Sequence, residues 1–187
     1  AGPLVAPEAT AREIGWQYYF NANYLHTFSP STFLEAKWGG YKQDGKLDIP
    51  YDVPAHIDDA TGERWGNFVE IWETPRTRTE GVATLSHHTE KFLGVHDFKF
   101  GVEFEHSYMR NFRGYPGGKQ YIDYYREPYL MITATPYDIA PTTNRLGSFI
   151  QDQWSVNDRI TVNWGLRWNR WRGSMPGQGT IFHPKDG

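Results

Sequence analysis

Apolar and polar side chains alternate along the stretch Asp97–Phe112. The even positions are mostly apolar: Phe98, Phe100, Val102, Phe104, His106, Tyr108, Arg110 and Phe112. The odd positions are mostly polar: Asp97, Lys99, Gly101, Glu103, Glu105, Ser107, Met109 and Asn111. A period of two indicates a β-strand with one apolar and one polar face. Since most strands in soluble sheets have about 5–6 residues, this length argues against an ordinary soluble sheet.

The same design recurs twice. Arg159–Asn169 alternates in the same way, with Ile160, Val162, Trp164, Leu166 and Trp168 on its apolar face. A third copy places Trp16, Tyr18, Phe20, Ala22 and Tyr24 on one face. Each of these strands has a less regular neighbour across a short segment rich in turn-forming residues, which predicts three β-hairpins.

The hairpins are predicted at about residues 15–42, 76–112 and 143–172, with turns near Pro30, Val95 and Asn157. These turns are spaced by about 63 residues. The intervening stretches, about 43–75 and 113–142, are rich in Gly, Pro and Asp. They are longer than the loops that compact soluble domains usually contain. Short turns at one end and long loops at the other predict an all-β fold, a segment of an antiparallel up-and-down transmembrane β-barrel with about six long strands.

The amino-acid composition of the chain excludes several classes of function. Aromatic residues make up 17% of the chain, which suits a membrane-interface girdle or a carbohydrate-binding surface. No apolar run approaches the roughly 20 residues of a membrane-spanning helix. The net charge of -3 predicts no nucleic-acid partner. The chain has no Cys, which excludes disulfides and thiolate metal sites, and the first residues show no signal peptide.

Leu146–Trp171 resembles the barrel of TonB-dependent outer-membrane receptors. The motif residues are Phe149, Gln151, Asp152 and Trp154 on one strand, then Ile160, Val162, Gly165, Leu166 and Arg167 on the next. Trp168 stands where the family usually has Tyr, and Asn169 where it usually has Asp. Phe92–Ser107 is similar to hairpins of the Oar-like branch, and the segment NANYLHTFSPSTFLEAK to an earlier hairpin of these barrels.

This resemblance implies a barrel of 22 strands in the bacterial outer membrane, filled by an N-terminal plug and energised by the TonB complex. The sequence lacks the plug, the TonB box and the final aromatic-terminated strand, so we expect a piece of such a barrel. The implied partners are outer-membrane lipid, the remaining barrel and plug, the TonB complex through the plug, and an unidentified ligand. The implied function is energised uptake, without enzymatic activity and without a cofactor.

Two groups of residues are candidates for contact with ligand. The polar positions of the long strands are expected to face the lumen: Lys99, Glu103, Glu105, Gln151, Asn163 and Arg167. Arg145, Arg167 and Arg170 are expected to pair with the glutamates. Aromatic residues of the outer stretches are candidate ligand contacts, although packing within the loops explains them equally well: Trp65, Tyr115, Tyr121 and Tyr124.

Three other features of the sequence resemble metal or catalytic sites, but the sequence predicts no such site at any of them. His87 and His88 are adjacent on a strand and should point to opposite faces, which disfavours a shared metal ion. The acidic stretch Asp58–Glu63 lacks the ligand spacing of a known calcium loop. Glu103 and Glu105 resemble a glycosidase carboxylate pair but lie on one strand, where charge balance by Lys99 explains them. We expect no catalytic residues and no metal.

Two alternative folds remain open. One is a secreted β-sandwich that binds carbohydrate through its aromatic residues, which predicts shorter strands and turns every 8–12 residues. The other is a complete soluble barrel, with apolar residues inside. Alternation alone does not say which face is the inner one, and the long loops at one end favour the membrane.

Overall fold

A computed structural model describes residues 4–49 and 51–176. These residues form thirteen strands: β1 Arg12–Ser29, β2 Thr32–Asp48, β3 Ala55–Asp58, β4 Arg64–Trp65, β5 Ile71–Glu73, β6 Arg76–Thr89, β7 Val95–Met109, β8 Asn111–Gly114, β9 Lys119–Tyr124, β10 Glu127–Thr133, β11 Tyr137–Ile139, β12 Thr142–Asn157 and β13 Ile160–Ser174. The helical segments are two 3-10 turns, Pro7–Ala9 and Pro116–Gly118. Among the described residues, no helix is long and apolar enough to cross a membrane.

Six long strands form one antiparallel sheet in the order β1–β2–β6–β7–β12–β13. Neighbours in sequence are neighbours in the sheet within each of three hairpins, which confirms the predicted up-and-down arrangement. Within the described residues, β1 pairs only with β2 and β13 pairs only with β12. The sheet is therefore not closed into a barrel.

The turns lie close to their predicted positions, with one difference. The first and third hairpins turn at Pro30–Ser31 and Asp158–Arg159. The second turn occupies residues 90–94, slightly before its predicted centre at Val95, where Leu93 and Gly94 have positive φ angles of 48° and 126°. Val95 already belongs to β7, because it pairs with Ser155 of β12.

The register divides the side chains of the sheet between two faces. Directly paired residues point to the same side, and sides alternate along each strand. One face carries Trp38, Phe104 and Leu146 at the same level, and the adjacent level carries Tyr24, Ala36, Ala83, Val102 and Trp168. We call this the apolar face. The opposite face, which carries Glu103 and Glu105, is called the polar face.

Two glycines receive the ring of a phenylalanine from the neighbouring strand. A Cβ on Gly81 would lie 2.3 Å from Cε1 of Phe104, and a Cβ on Gly101 would lie 2.1 Å from Cε1 of Phe149. Each glycine and its phenylalanine are directly paired, the first pair on the apolar face and the second on the polar face. In each pair, the phenylalanine ring thus fills the space that a side chain on the glycine would occupy.

Three short strands lengthen the main sheet beyond the long strands, at the end opposite the tight turns. We call the main sheet the wall and these three strands the wall extension. Here β2 pairs with β5, β5 with β8, and β8 with β11. Arg110 lies between β7 and β8 and joins them to both neighbours: its Nη1 donates to Glu73 at 3.2 Å, and its Nε and Nη2 donate to Asp138 at 2.8 and 2.7 Å. These hydrogen bonds to Arg110 hold the pKa of Asp138 below its usual value.

The two long connections are more ordered than the sequence predicts. Besides the wall extension, they form a second sheet in the order β10–β9–β3–β4. β3 from the first connection pairs in parallel with β9 from the second. We call residues 51–69 and 115–136 the loop unit. The carboxylate of Asp52 also accepts a hydrogen bond from Gly117 N at 2.7 Å, so the two connections are tied together.

The ring packed on Gly101 gives the first testable prediction. Substitution Gly101→Val displaces the Phe149 ring, and we expect the free energy of unfolding to fall by about 1–3 kcal/mol, as in other overpacked sites. Urea unfolding of the protein in lipid vesicles measures this change. Gly173→Val is the matched control, because the nearest atom to a Cβ at Gly173 is 4.0 Å away. An equal loss in both variants would contradict a specific role for the ring.

Candidate functional site

The polar face gathers every residue predicted to face the lumen. Lys99 pairs with Gln151, Glu103 pairs with Gly147, and Glu105 pairs with Arg145. On the last strand, Asn163 pairs with Gln153 and Arg167 pairs with Phe149. Because paired and alternate residues share a face, the six predicted positions lie on one side of the sheet: Lys99, Glu103, Glu105, Gln151, Asn163 and Arg167.

A chain of ion pairs crosses this face from β6 to β13. Arg78 Nη2 lies 3.1 Å from Glu105 Oε2, and Arg145 Nη2 lies 3.2 Å from the same oxygen. Arg145 Nη1 is 3.7 Å from Glu103 Oε2, and Arg167 forms a two-pronged pair with Glu103 through Nη1 and Nη2. The chain joins four strands through alternating charges. Arg78 Nη2 also lies 2.8 Å from Glu80 Oε2, so three carboxylates and three guanidiniums balance one another along this face.

A glycine lies beneath the last of these ion pairs. Glu103 and Arg167 lie on β7 and β13, with β12 between them. Gly147 is the β12 residue paired with Glu103, and a Cβ there would be in ordinary contact with Glu103 Oε2 at 3.5 Å and Arg167 Nη2 at 3.7 Å. The tight contact would be with Asn169 Oδ1 at 2.8 Å, so the glycine makes room for that amide beside the ion pair.

The remaining predicted lumen residues lie nearer the tight turns. Lys99, Gln151 and Asn163 line a cavity of about 640 Å³, together with Ser86, His88, Asp97 and Gln153. Aromatic side chains, Phe33, Phe98 and Trp164, also line this cavity, so polar and apolar groups contribute to it about equally. The structure therefore separates the six candidates into an ion-paired group, Glu103, Glu105 and Arg167, and a cavity group, Lys99, Gln151 and Asn163.

Arg170 does not join the glutamates as the sequence analysis expects. It pairs in register with Leu146, which places it on the apolar face. The period of two explains this position, because Arg167 and Arg170 are an odd number of residues apart and must point to opposite sides. Glu103 and Glu105, in turn, are occupied by arginines, in keeping with a structural use of these carboxylates.

Asp152 is a buried acid on the apolar face, beside the tight turns. Its side chain is 2% exposed, and its Oδ2 is 2.8 Å from His96 Nδ1 and 3.2 Å from Trp164 Nε1. Trp154 Nε1 donates to the carbonyl oxygen of Leu93 at 3.0 Å. Two motif residues, Asp152 and Trp154, thus fasten the third hairpin to the turn of the second.

The loop unit contains a continuous stack of rings and cations. His56 lies between Trp65 and Tyr121, with ring centroids 5.2 and 4.7 Å away and nearly parallel planes. The guanidinium of Arg126 covers the Trp65 ring at 5.5 Å, and Lys119 Nζ lies 5.5 Å from the Tyr121 ring. The faces of both predicted ligand-contact residues, Trp65 and Tyr121, are therefore occupied by other side chains of the protein.

His56 is the member of this stack that the sequence analysis does not identify. Its Nδ1 is 2.8 Å from Oδ2 of Asp123, which is fully buried. The sequences AHID and KQYIDY alternate like strands, but nothing in them indicates that they pair in parallel. The other predicted contacts lie apart from the stack: Tyr124 packs edge-on against Tyr125, and Tyr115 lines a separate cavity of about 400 Å³ between the loop unit and the wall extension.

The acidic stretch Asp58–Glu63, which lacks the spacing of a calcium loop, forms hydrogen bonds within the loop unit. Burial acts to raise the pKa of Asp58, but hydrogen bonds from the backbone N–H groups of Arg126, Thr61 and Ala60 outweigh it and lower that pKa. Glu63 pairs with Arg126 at 2.8 Å. Asp58 and Glu63 thus join the two halves of the loop unit.

His87 and His88 point to opposite faces, as their adjacency predicts. His87 Nδ1 is 2.8 Å from Thr32 Oγ1, whereas His88 Nδ1 is 2.8 Å from Asp97 Oδ1. Over the part of the chain that the structure describes, no three His, Cys, Asp or Glu side chains form a group suited to a metal ion.

The apolar face is broad and uncovered by the rest of the described structure. Leu166 is 70% exposed, Val102 is 57% exposed and Trp168 is 52% exposed. A soluble protein rarely exposes a contiguous apolar surface of more than a few hundred Å². The loop sheet does not cover these residues, which argues against the β-sandwich alternative.

A sheet of this kind has a counterpart among known families. A family described as an outer membrane beta barrel domain matches residues 3–185, nearly the whole chain. The chain belongs to this outer membrane β-barrel family. No curated protein matches the sequence. Family membership places the protein in the bacterial outer membrane and confirms the predicted barrel fold and location.

Membership of this barrel family gives the two faces a physical meaning. Barrel walls in the outer membrane present apolar side chains to lipid and polar side chains to the lumen, with short turns at the periplasmic end and longer loops outside. By this rule the apolar face contacts lipid, the ion-pair chain lines the lumen, and the loop unit lies on the extracellular side. The lumen assignment of the six candidates remains a prediction from this rule.

The Glu103–Arg167 pair gives the second testable prediction. A double-mutant cycle with Glu103→Gln and Arg167→Gln is expected to yield a coupling of at least about 1 kcal/mol, because the pair is two-pronged and belongs to a network. Urea unfolding in lipid vesicles measures each variant.

The matched control is the Glu35–Lys37 pair, which lies on one strand with both side chains about half exposed. Its coupling is expected to stay below about 0.5 kcal/mol, as for most exposed pairs. Equal coupling in the two cycles would show that the Glu103–Arg167 pair has no special part in the wall.

Proposed function

We propose that this barrel wall belongs to a TonB-dependent receptor that takes up a ligand across the outer membrane with energy from the inner membrane. The observation that carries the proposal is the combination of a charged polar face with an ordered loop unit at its extracellular end. Receptors of this type need both a polar interior and structured outer loops. The similarity of Leu146–Trp171 to TonB-dependent barrels supports the same conclusion.

The proposal includes a larger barrel than the six strands described. Bacterial single-chain barrels have at least eight strands. A sheet with unpaired edge strands is unstable in the hydrocarbon core of a bilayer, because each unpaired peptide group there costs several kcal/mol. We therefore propose that further strands continue the sheet from β1 and β13, and that a plug fills the enclosed lumen.

The proposed role is binding and transport without catalysis. The carboxylates nearest to an enzymatic arrangement, Glu103 and Glu105, are each bound to guanidinium groups. The ligand meets the loop unit first and then the polar wall. Because the faces of Trp65 and Tyr121 are covered, we propose that ligand contact uses ring edges and the exposed Tyr124 rather than stacking on these two rings.

The third testable prediction distinguishes an energised receptor from a passive pore, which a polar wall also suits. The full-length protein in detergent is expected to bind the purified periplasmic domain of TonB in surface plasmon resonance. In a planar lipid bilayer it is expected to show no steady ion conductance, because a plug fills the lumen. A general diffusion porin serves as the conducting control.

Steady conductance together with no binding to TonB would contradict the proposal and support a passive channel. TonB binding with a closed pore would support it. A protein that neither binds TonB nor conducts would also contradict energised transport and leave the barrel a structural or adhesive role.

A further inference from the structure

Two arginines stand at the extracellular end of the apolar face. Arg170 pairs with Leu146 and Arg172 pairs with Asn144, so both project from the side that carries Val162, Leu166 and Trp168. Both are exposed. Among the described residues, no carboxylate lies within 4.0 Å of either guanidinium; the carboxylates of this part of the sheet pair with other arginines.

Within residues 4–49 and 51–176, the same-face neighbours of these arginines on β12 and β7 include no acidic residue. Asn144 Oδ1 accepts a hydrogen bond from His106 Nδ1 at 2.7 Å, and Thr142 contacts Ser174 through their hydroxyl groups at 2.5 Å. Tyr108 pairs with Thr142 in register. As far as the structure describes it, the patch above the apolar band consists of two guanidiniums without a paired carboxylate and of neutral polar groups, which favours an anionic partner.

The position of the patch indicates where that partner lies. Arg170 directly follows the apolar run of β13 on this face, at the end opposite the tight turns. In the outer membrane barrel family this end faces outward, at the headgroup level of the outer leaflet. Arginines at a membrane interface attract anionic headgroups, and guanidinium binds phosphate with two parallel hydrogen bonds.

A depression lies beside the patch, within the apolar band. It has a volume of about 420 Å³, and Leu146, the partner of Arg170, forms part of its wall. Its floor is made by small residues, Ala36 and Ala83, which are adjacent in the register. Tyr24, Trp38, Val102 and Phe104 rise around this floor.

The hydrocarbon around the barrel is the natural occupant of such a depression. An empty apolar space loses the dispersion contacts of every atom that lines it. A lipid chain that enters the depression restores those contacts. An acyl chain in the depression and a phosphate at the arginines are compatible with one lipid molecule of several chains.

We propose that the outer surface of β2, β6, β7, β12 and β13 binds a phosphate-bearing glycolipid of the outer leaflet. An acyl chain occupies the depression over Ala36 and Ala83, and a phosphate group binds Arg170 and Arg172. This inference rests on the outward orientation of the apolar face and is independent of the transported ligand. It assigns the protein a specific lipid rather than a general lipid contact.

The test uses native mass spectrometry of the full-length protein in detergent, titrated with bisphosphorylated lipid A. We expect one retained lipid on the unmodified protein. The double variant Arg170→Gln and Arg172→Gln is expected to weaken binding at least about tenfold, because two headgroup cations are lost. Filling the depression with Ala36→Leu and Ala83→Leu is expected to weaken it as well.

Two matched controls keep charge and bulk effects separate. Arg159→Gln removes an exposed cation at the opposite end of the same hairpin. Ser148→Leu places the same leucine side chain as Ala83→Leu on the same face and at the same level of the sheet, outside the lining of the depression. Both controls are expected to retain lipid A like the unmodified protein, and heat-modifiable gel mobility checks that every variant is folded.

Three results would overturn the proposal. The first is equal retention of lipid A by the arginine variants, and the second is equal retention of lipid A and its dephosphorylated form. The third is a dimer mass that disappears in Ala83→Leu, which would make this face an interface between copies. TonB binding on the same preparations separates the two proposals, because its loss leaves the lipid site unaffected.

Discussion

The structure depends on the pairing of backbone groups along six long strands. A bilayer offers no water to peptide N–H and C=O groups, so each must be bonded within the protein. From β1 to β13, every long strand is paired over most of its length with at least one neighbour. Once this ladder is set, the side-chain period of two assigns every residue to lipid or lumen, and a slip of one residue would exchange the faces.

Small residues have two uses in this paired sheet. Gly101 on the polar face and Gly81 on the apolar face each receive a phenylalanine ring from the neighbouring strand. Ala36 and Ala83, which are paired on the apolar face, instead line a depression in its surface. Small residues thus help neighbouring strands to pack in one place and shape the lipid-facing surface in another.

The sequence predicts the features that follow from local periodicity. The alternation along Asp97–Phe112 is sufficient to identify β7 and its faces, and turn residues locate the hairpins to within a few positions. It does not reveal the parallel pairing of β3 with β9, because contacts between distant loops leave no periodic signal. The sequence therefore does not identify His56, and it leaves ligand contact and loop packing open for Trp65 and Tyr121, which both stack on His56.

Arg170 shows that a periodic pattern has to be applied to every residue. Grouping it with Arg145 and Arg167 by charge alone predicts an ion pair in the lumen, whereas the register places it on the lipid side. The extension of β2 to Asp48 has a different cause, because it follows from pairing with β1 and β5 rather than from hydrophobicity. Long-range pairing accounts for most of what sequence reasoning did not predict.

The central claim is that alternate residues of the long strands face lipid and lumen. Since the chain has no natural Cys, a nitroxide label can be attached at single introduced cysteines along β13, from Ile160 to Trp168. Electron paramagnetic resonance of the protein in lipid bilayers then compares collisions with oxygen, which concentrates in lipid, and with a water-soluble nickel complex. We expect oxygen maxima at the even positions and nickel maxima at the odd ones. The opposite phase, or no alternation, would contradict the account.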